Sequence, residues 1–482
     1  MGEINAKRIM IAAASSGSGK TTITCALLEA LKKRGLSPVS FKCGPDFIDP
    51  LFHKKVLGID SRNLDTFFAG INGIQAIMSE CGDNYAVIEG VMGLYDGKRA
   101  DTLEGSGYEA AVSLSASIIL VVDASGAGRT VISVIKGMLL DDTHHLIRGI
   151  LLNRISEGFY ESLKPVLEKE LATMRSDVKV LGFFPKDRDV QIGSRHLGLV
   201  LPYEISDMKN VICHAASVLE KNADVDGIVA LMEESQVRNF PNEESLRDTD
   251  VRQEDVCVKP SAGGSDLLTL AVAYDEAFCF YYSENLDMFR KRGVEIRFFS
   301  PLRDESLPGE CDGILIGGGY PENHLKELSG NRKMLEAIRH AIYSGIPSLA
   351  ECGGFMYLHR IVADTEGTEY ELVGAIDGEC RYTDHLVRFG YMQIEAENFP
   401  GDGDELSASL VGMKGHEFHY YDSSENGDSF TSVKPGKNNR WQCMVMDNNG
   451  FWGFPHFYYP SAPAFVDNFI RRMSEVKNGL FQ

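Results

Sequence analysis

Ser15-Ser16-Gly17-Ser18-Gly19-Lys20-Thr21-Thr22 sets glycines, a lysine and two threonines at a spacing that suits phosphate. Glycines let backbone N–H groups turn inward around an anion, Lys20 adds positive charge, and the Thr21 hydroxyl can ligate Mg²⁺. Gly17, Gly19, Lys20, Thr21 and Thr22 are therefore the nucleotide-binding candidates. The strict pattern carries a further glycine where this chain has Ala14. Phosphate-bound metal needs carboxylates, and two segments offer them. Lys42-Cys43-Gly44-Pro45-Asp46-Phe47-Ile48-Asp49-Pro50 places two Asp three apart among turn residues, and residues 87–97 (VIEGVMGLYDG) contribute Glu89 and Asp96. Both segments leave apolar, strand-like runs, and in open α/β sheets ligands lie beyond the carboxyl ends of strands. Singly, Asp46, Asp49 and Asp96 would suit helix caps or turns. Four carboxylates on strand exits beside a P-loop favour metal–phosphate chemistry.

A different chemistry centres on Cys352. Ala350-Glu351-Cys352-Gly353-Gly354 follows the apolar run IPSLA and precedes a helical stretch. A Cys at such a strand–helix elbow gains thiolate character from the helix N-terminus, and the Gly353 amide can bind an oxyanion. Gly317-Gly318-Gly319-Tyr320-Pro321-Glu322 ends another strand, and Gly318 and Gly319 are expected to complete that oxyanion hole. A nucleophilic Cys needs a base, often distant in sequence. His385, His416, His419 and His456 are the candidates. His456 is preferred because it ends an aromatic strand-like segment near the C-terminus. His416 and His419 flank Glu417 in a pattern one residue short of the H-E-x-x-H zinc spacing, so a metalloprotease is excluded.

The elements that must position these groups alternate. Apolar runs at 8–14, 38–42, 85–89, 117–123, 147–153 and 178–184 read as strands, with helical stretches after the P-loop and around 72–80 and 129–139. Buried strands separated by helices argue for a parallel sheet. Residues 233–266 are polar and charged, and read as a linker. Alternation resumes from 267, so the expected organisation is a P-loop domain over 1–232, a linker over 233–266 and a second α/β domain over 267–482. The chain has 482 residues and 44% hydrophobic positions, enough for sizeable cores. Its formal charge of -21 disfavours nucleic acid and anionic membranes as partners. Ten cysteines without a C-x-x-C pair exclude zinc ribbons and thioredoxin-like motifs. With no signal peptide and no membrane-length apolar run, the expected location is cytoplasmic.

Taken together, SGSGKTT, KCGPDFIDP, RNLD, IEGVMGLYDG, RHLGL (195–199), FYYSENL (280–286), GGGYPE, AECGG and GHEFHY resemble, in order and spacing, the signatures of cobyrinate a,c-diamide synthases from about residue 8 to about 465. The resemblance implies an N-terminal P-loop domain similar to dethiobiotin synthetase, with a mostly parallel sheet, joined to a C-terminal class I glutamine amidotransferase domain. It implies a ligase of cobalamin biosynthesis that amidates the a and c acetate groups of cobyrinate through acyl phosphates, using ATP, Mg²⁺ and ammonia from L-glutamine. Cys352 and His456 would release the ammonia. Thr21, Asp46 and Glu89 would serve the metal, and Asp46, Asp49 and Asp96 the substrate carboxylates or acyl transfer. Two departures stand out. Phe47 replaces a frequent Tyr, and Tyr458 stands where many class I amidotransferases have Glu two residues after the His. A Cys–His dyad, or another acid such as Glu417, would then suffice. Hydrogenobyrinate and nickel or iron sirohydrochlorin are alternative substrates for the same machinery. A carboxylase fused to a second domain and a non-catalytic P-loop scaffold are more distant readings. Oligomeric state is open, and a homodimer is compatible with the sequence.

Overall fold

In the computed structural model, the apolar runs of the N-terminal half are strands: β1 (Lys7–Ala13), β2 (Pro38–Cys43), β4 (Tyr85–Glu89), β5 (Ser117–Asp123), β6 (Ile147–Asn153) and β7 (Lys179–Phe184), with β3 (Ser61–Leu64) between β2 and β4. The structure describes residues 5–190, 194–195, 198–199, 208–236, 267–395, 405–447 and 449–480. The seven strands form one parallel sheet in the order β3-β2-β4-β1-β5-β6-β7. The central strands are buried along almost their whole length, as strands covered by helices on both faces must be. Strand β3 is short, polar and at the edge, so it carries no apolar alternation to announce it. Helices α1 (Lys20–Lys33), α2 (Ile48–Phe52) and α3 (Thr66–Ser79) follow β1, β2 and β3. Because β2, β4 and β1 are adjacent, the loops leaving their carboxyl ends lie side by side.

The chain divides into two compact units, Met1–Arg252 and Gln253–Gln482. The first unit extends beyond residue 232, where the P-loop domain was expected to end and the linker to follow. Residues 233–236 are the last turn of the helix Val225–Gln236, in which Ser235 Oγ accepts Arg8 N–H at 2.9 Å and Glu233 accepts from the Tyr85 hydroxyl at 3.0 Å. The rest of the expected linker lies outside the described residues. So do His196 and Leu197 of the RHLGL motif, while Ser194–Arg195 pairs with Gly198–Leu199.

In the second unit, Glu295–Phe299, Thr269–Ala273, Gly313–Ile316, Ser348–Glu351 and Gly450–Gly453 form a parallel sheet in that order, with Val445–Asp447 antiparallel at one edge. An antiparallel sheet runs Arg440–Cys443, Phe430–Val433, Arg388–Ile394, Lys414–His419, His456–Tyr458. The aromatic segment 451–460, read from sequence as one strand ending at His456, is two strands in different sheets. Gly450–Gly453 belongs to the parallel sheet, and His456 opens a strand of the antiparallel one. Pro455 lies between them and has no N–H with which to continue a ladder. Among the described residues no helix is long and apolar enough to cross a membrane.

Candidate active sites

The loop after β1 turns at Gly17 (φ 75°) and Gly19 (φ 94°), both in the left-handed region. A Cβ on Gly19 would also fall 2.2 Å from Asn153 Nδ2, which donates to Ser18 O at 2.8 Å. Ala14 is not among the residues with positive φ, which explains why this loop accepts alanine where the strict pattern has glycine. The first backbone bond of α1 runs from Ile23 N–H to the Gly19 carbonyl. The amides of Lys20, Thr21 and Thr22 therefore stand at the open end of the helix, where an anion finds donors and a favourable dipole. Lys20 Nζ donates to Ser15 O at 3.1 Å and to Met92 O at 2.5 Å. Met92 presents that carbonyl from a φ of 47°, unusual for a residue with a side chain.

The expected carboxylates gather around a group the sequence reading passed over. Lys42, at the end of β2 and 5% exposed, ion-pairs with Asp49 and lies 2.7 Å from Glu89 Oε1. Glu89 Oε1 also accepts from Thr21 Oγ1 at 2.5 Å, which ties the P-loop to the end of β4. One cation thus serves two buried carboxylates, and the charge divides unevenly. Burial raises the pKa of Asp49, but Lys42 outweighs it and holds the group below the usual range. Glu89 is pushed up to about 7, first by burial and then by Asp49, against the pull of Lys42. Burial would lower Lys42, yet its two carboxylates hold it well above its ordinary value. Lys20 is lowered by burial and by Lys42, while Glu89, Asp96 and Asp49 oppose. Asp46 Oδ1 accepts from the amides of Ile48 and Asp49 at 2.8 and 3.1 Å, capping the turn into α2, and burial with Asp49 raises its pKa to about 6. Asp96 closes its own turn by accepting Gly93 N–H at 2.8 Å. Asp46 and Asp96 therefore do act as turn and cap residues in this state. The RNLD motif finds a purpose here as well: Asn63 donates to Gly44 O and Asp46 O at 2.8 and 2.7 Å, bracing the loop.

In the second unit, Cys352 sits between the strand Ser348–Glu351 and the helix Gly353–Leu358 with φ 50° and ψ −104°. That strained elbow sets the side chain at the end of a sheet, where a nucleophile sits, although Cys352 itself is buried at 8% exposure. Burial pushes the Cys352 thiol up, with Glu322 adding to it, while a bond from Gly353 N–H opposes. A Cβ on Gly353 would meet Pro321 Cδ at 2.8 Å and Gly319 N at 3.2 Å, so the loop 317–321 lies against the elbow. A Cβ on Gly318 would fall 2.2 Å from His456 Cε1, so the same loop is the seat of His456. The structure thus brings Cys352, Gly353, Gly319, Gly318 and His456 together around one loop.

The four histidines part company. His385 is exposed beside Asp384. His419 bonds to Glu417 Oε2 at 3.0 Å and to Tyr421 O at 2.6 Å, and stacks on Phe454. Glu417 spends its other oxygen on Trp441 Nε1 at 2.9 Å. His416 is buried and stacks on His456, with ring centres 4.9 Å apart and planes at 16°. His456 is held well below its ordinary pKa by burial, then by His416 and His419.

Residues 9–200 match the CobQ/CobB/MinD/ParA nucleotide binding domain, and residues 269–457 match the CobB/CobQ-like glutamine amidotransferase domain. A cobyrinate a,c-diamide synthase from Clostridium tetani is 35% identical over 97% of this chain and 100% of its own length. Relatives of the same name from Caldanaerobacter subterraneus (35%, 96% of this chain, 98% of that protein) and Saccharolobus solfataricus (37%, 86% and 88%) agree. The chain belongs to the cobyrinate a,c-diamide synthase family. In this member of the family, the nucleotide-binding match covers the P-loop with Lys42, Asp46, Asp49, Glu89 and Asp96, and the amidotransferase match covers Cys352 and His456. Lys42 escaped the sequence reading because a lysine closing a strand ordinarily points to solvent. Only the meeting of three strand ends shows that it is buried.

Proposed function

We propose that this protein is a glutamine-hydrolysing ligase that amidates the a and c acetate carboxylates of cobyrinate at the expense of ATP. The observation that supports this most is the presence, in a chain similar to cobyrinate a,c-diamide synthases along nearly its whole length, of an open P-loop in one unit and a strained cysteine elbow beside a histidine in the other. Cys352 thiolate attacks the amide carbon of glutamine, and His456 takes the thiol proton and gives it to the departing ammonia. The Gly353 and Gly319 amides face the oxyanion. Gly318 acts by seating His456. Water then releases glutamate from the thioester.

At the other unit, a substrate carboxylate attacks the γ-phosphorus of ATP, ADP leaves, and ammonia displaces phosphate from the acyl phosphate. Lys20 and the amides of Lys20, Thr21 and Thr22 hold the phosphates. The site also fits Mg²⁺. Thr21 and Glu89 already meet, and no donor reaches Glu89 Oε2 among the described residues. Bound there with Asp46 close by, Mg²⁺ would neutralise phosphate charge. Asp46, Asp49 and Asp96 line the approach of the substrate carboxylates, and Phe47 at the mouth of α2 leaves that approach without the hydroxyl of a tyrosine.

Mass spectrometry of cobyrinate and nickel sirohydrochlorin, each incubated with the protein, ATP, Mg²⁺ and glutamine, tests the reading. Two successive amidations of cobyrinate support it. Amidation of the sirohydrochlorin alone corrects the substrate, and no change in either, nor in hydrogenobyrinate or iron sirohydrochlorin, refutes a ligase. Two variants separate the half-sites. Cys352→Ala is expected to lose glutamine-dependent amidation yet keep ammonium-dependent amidation. Lys20→Ala is expected to lose both and retain glutaminase activity. Normal synthesis by the Lys20 variant would overturn the P-loop assignment.

A further inference from the structure

His456 opens the outermost strand of its sheet. The strand His456–Tyr458 pairs on one edge with Lys414–His419, in the register His416↔His456, Gly415↔Phe457 and Lys414↔Tyr458. Among the described residues no strand follows on its other edge, and all three of its residues are buried. Buried backbone N–H and C=O groups require partners. Here two side chains stand in for the missing strand. Asn285, 5% exposed on the helix Ser283–Lys291, donates from Nδ2 to the Phe457 carbonyl at 2.8 Å and accepts Tyr459 N–H on Oδ1 at 2.9 Å. Glu351 receives the Phe457 N–H, and its Oε1 accepts the Tyr459 hydroxyl at 2.7 Å. Phe457 O demands a donor and Tyr459 N–H demands an acceptor; the Asn285 carboxamide supplies both, and its orientation is fixed by that demand. Glu351 directly precedes Cys352. The edge of the histidine strand is therefore tied to the strand of the nucleophile.

The same segment of chain reaches the other parts of the site. Cys279 and Phe280 both donate their amides to Gly318 O at 3.0 Å, Tyr281 Oη accepts Gly317 N–H at 2.8 Å, and Tyr282 Oη lies 3.1 Å from His416 Nδ1. Tyr458 stands two residues after His456, where a carboxylate would be needed to orient the ring directly, and Glu417 is occupied by His419 and Trp441.

We propose that Asn285, together with Glu351, is a positioning residue that aims His456 at Cys352 by clamping the backbone behind it. This rests on the reading of Cys352 and His456 as the glutaminase pair. The test uses the full chain and Asn285→Asp, which keeps the size and the acceptor for Tyr459 N–H but sets an oxygen against Phe457 O. A misplacement of about 1 Å costs roughly 100-fold in rate. Glutaminase kcat is accordingly expected to fall about 100-fold, with KM within about threefold and ammonium-dependent amidation unchanged. Asn285→Ser, which leaves room for a bridging water, is read by the same three measurements and should show the same split with a smaller loss. Unchanged kcat in both variants would overturn the proposal. So would a rise in KM that accounts for the loss, which marks a glutamine contact, or a parallel loss of ammonium-dependent amidation, which marks a purely structural role. A wild-type protein that hydrolyses no glutamine would remove the Cys352–His456 reading and this inference with it, an outcome distinct from an active wild type with unaffected variants.

Discussion

Glu351 is a carboxyl group buried beside a nucleophile, and its protonation has a consequence for stability. Burial pushes it up to about 8, more than the bonds from Tyr459 and Phe457 pull it down. In the unfolded chain it titrates near the ordinary 4.5. The folded state therefore holds a proton that the unfolded state has lost over that interval. Its contribution is fully present below about pH 4.5 and disappears as pH rises through about 8. One such group changes stability by up to about 1.4 kcal/mol per pH unit. Glu351→Gln, which cannot ionise, should lose less stability than the wild type over this window. Urea denaturation followed by tryptophan fluorescence at stepped pH measures the two slopes, and parallel slopes would show that Glu351 is ionised in the folded protein. Tyr459, Tyr281 and Cys352 are neighbouring groups that feel its charge, all already raised by burial.

The loop Gly317–Pro321 joins nucleophile and base as an element, and its geometry rests on the absence of side chains. Gly318→Ala would drive a methyl group to 2.2 Å from the His456 ring, so ring or loop must move. Glutaminase kcat should fall by roughly 100-fold while ammonium-dependent amidation persists, since the P-loop unit is untouched. Retention of glutaminase within about threefold would show that the loop yields. This element also marks the limit of what local sequence could reveal. The strand–glycine–helix pattern at residues 8–33 and the Cys352 elbow are local, because the residues that make the turn also bear the chemistry. The strand Ser61–Leu64 was not legible, for its polar side chains serve local partners instead of a core: Asn63 the Gly44–Asp46 loop, Ser61 the His53 ring and Arg62 the Glu80 carboxylate. The division of 451–460 was hidden because aromatics stand on both sides of Gly453 and Pro455, and such side chains suit either sheet. Asn285 lies within the motif FYYSENL (280–286), but its partners lie 172 and 174 residues away. No local spacing encodes that pairing.

At the scale of the whole molecule, each unit has hydrophobic core of its own: one cluster lines a face of the seven-stranded parallel sheet, and two flank the central sheet of the second unit. The buried cluster at Lys42 belongs entirely to the first unit. Both tryptophans of the chain, Trp441 and Trp452, belong to the second. Substituting Lys42→Met removes the only cation paired with Asp49 and Glu89 among the described residues, leaving two buried carboxylates side by side. Breaking a buried pair in this way costs about 3–5 kcal/mol, because the remaining charge has neither water nor partner. Glu89 can take up a proton near neutral pH, which places the expected loss at the lower end of that range. The first unit should therefore unfold at lower urea while the second keeps its midpoint, since a domain with its own core can lose structure separately. Far-UV circular dichroism, which reports on both units, should gain an early transition that tryptophan fluorescence does not follow. If both signals shift together, the two units unfold as one cooperative body. If neither shifts, Asp49 and Glu89 are accommodated without Lys42, and the division of charge among the three is wrong. Acidification separates the causes: Lys42 is what pulls Glu89 down to about 7, so in the variant Glu89 takes up its proton at a higher pH than in the wild type, which relieves the repulsion, and the early transition should move back toward the wild-type midpoint as pH is lowered from the alkaline side.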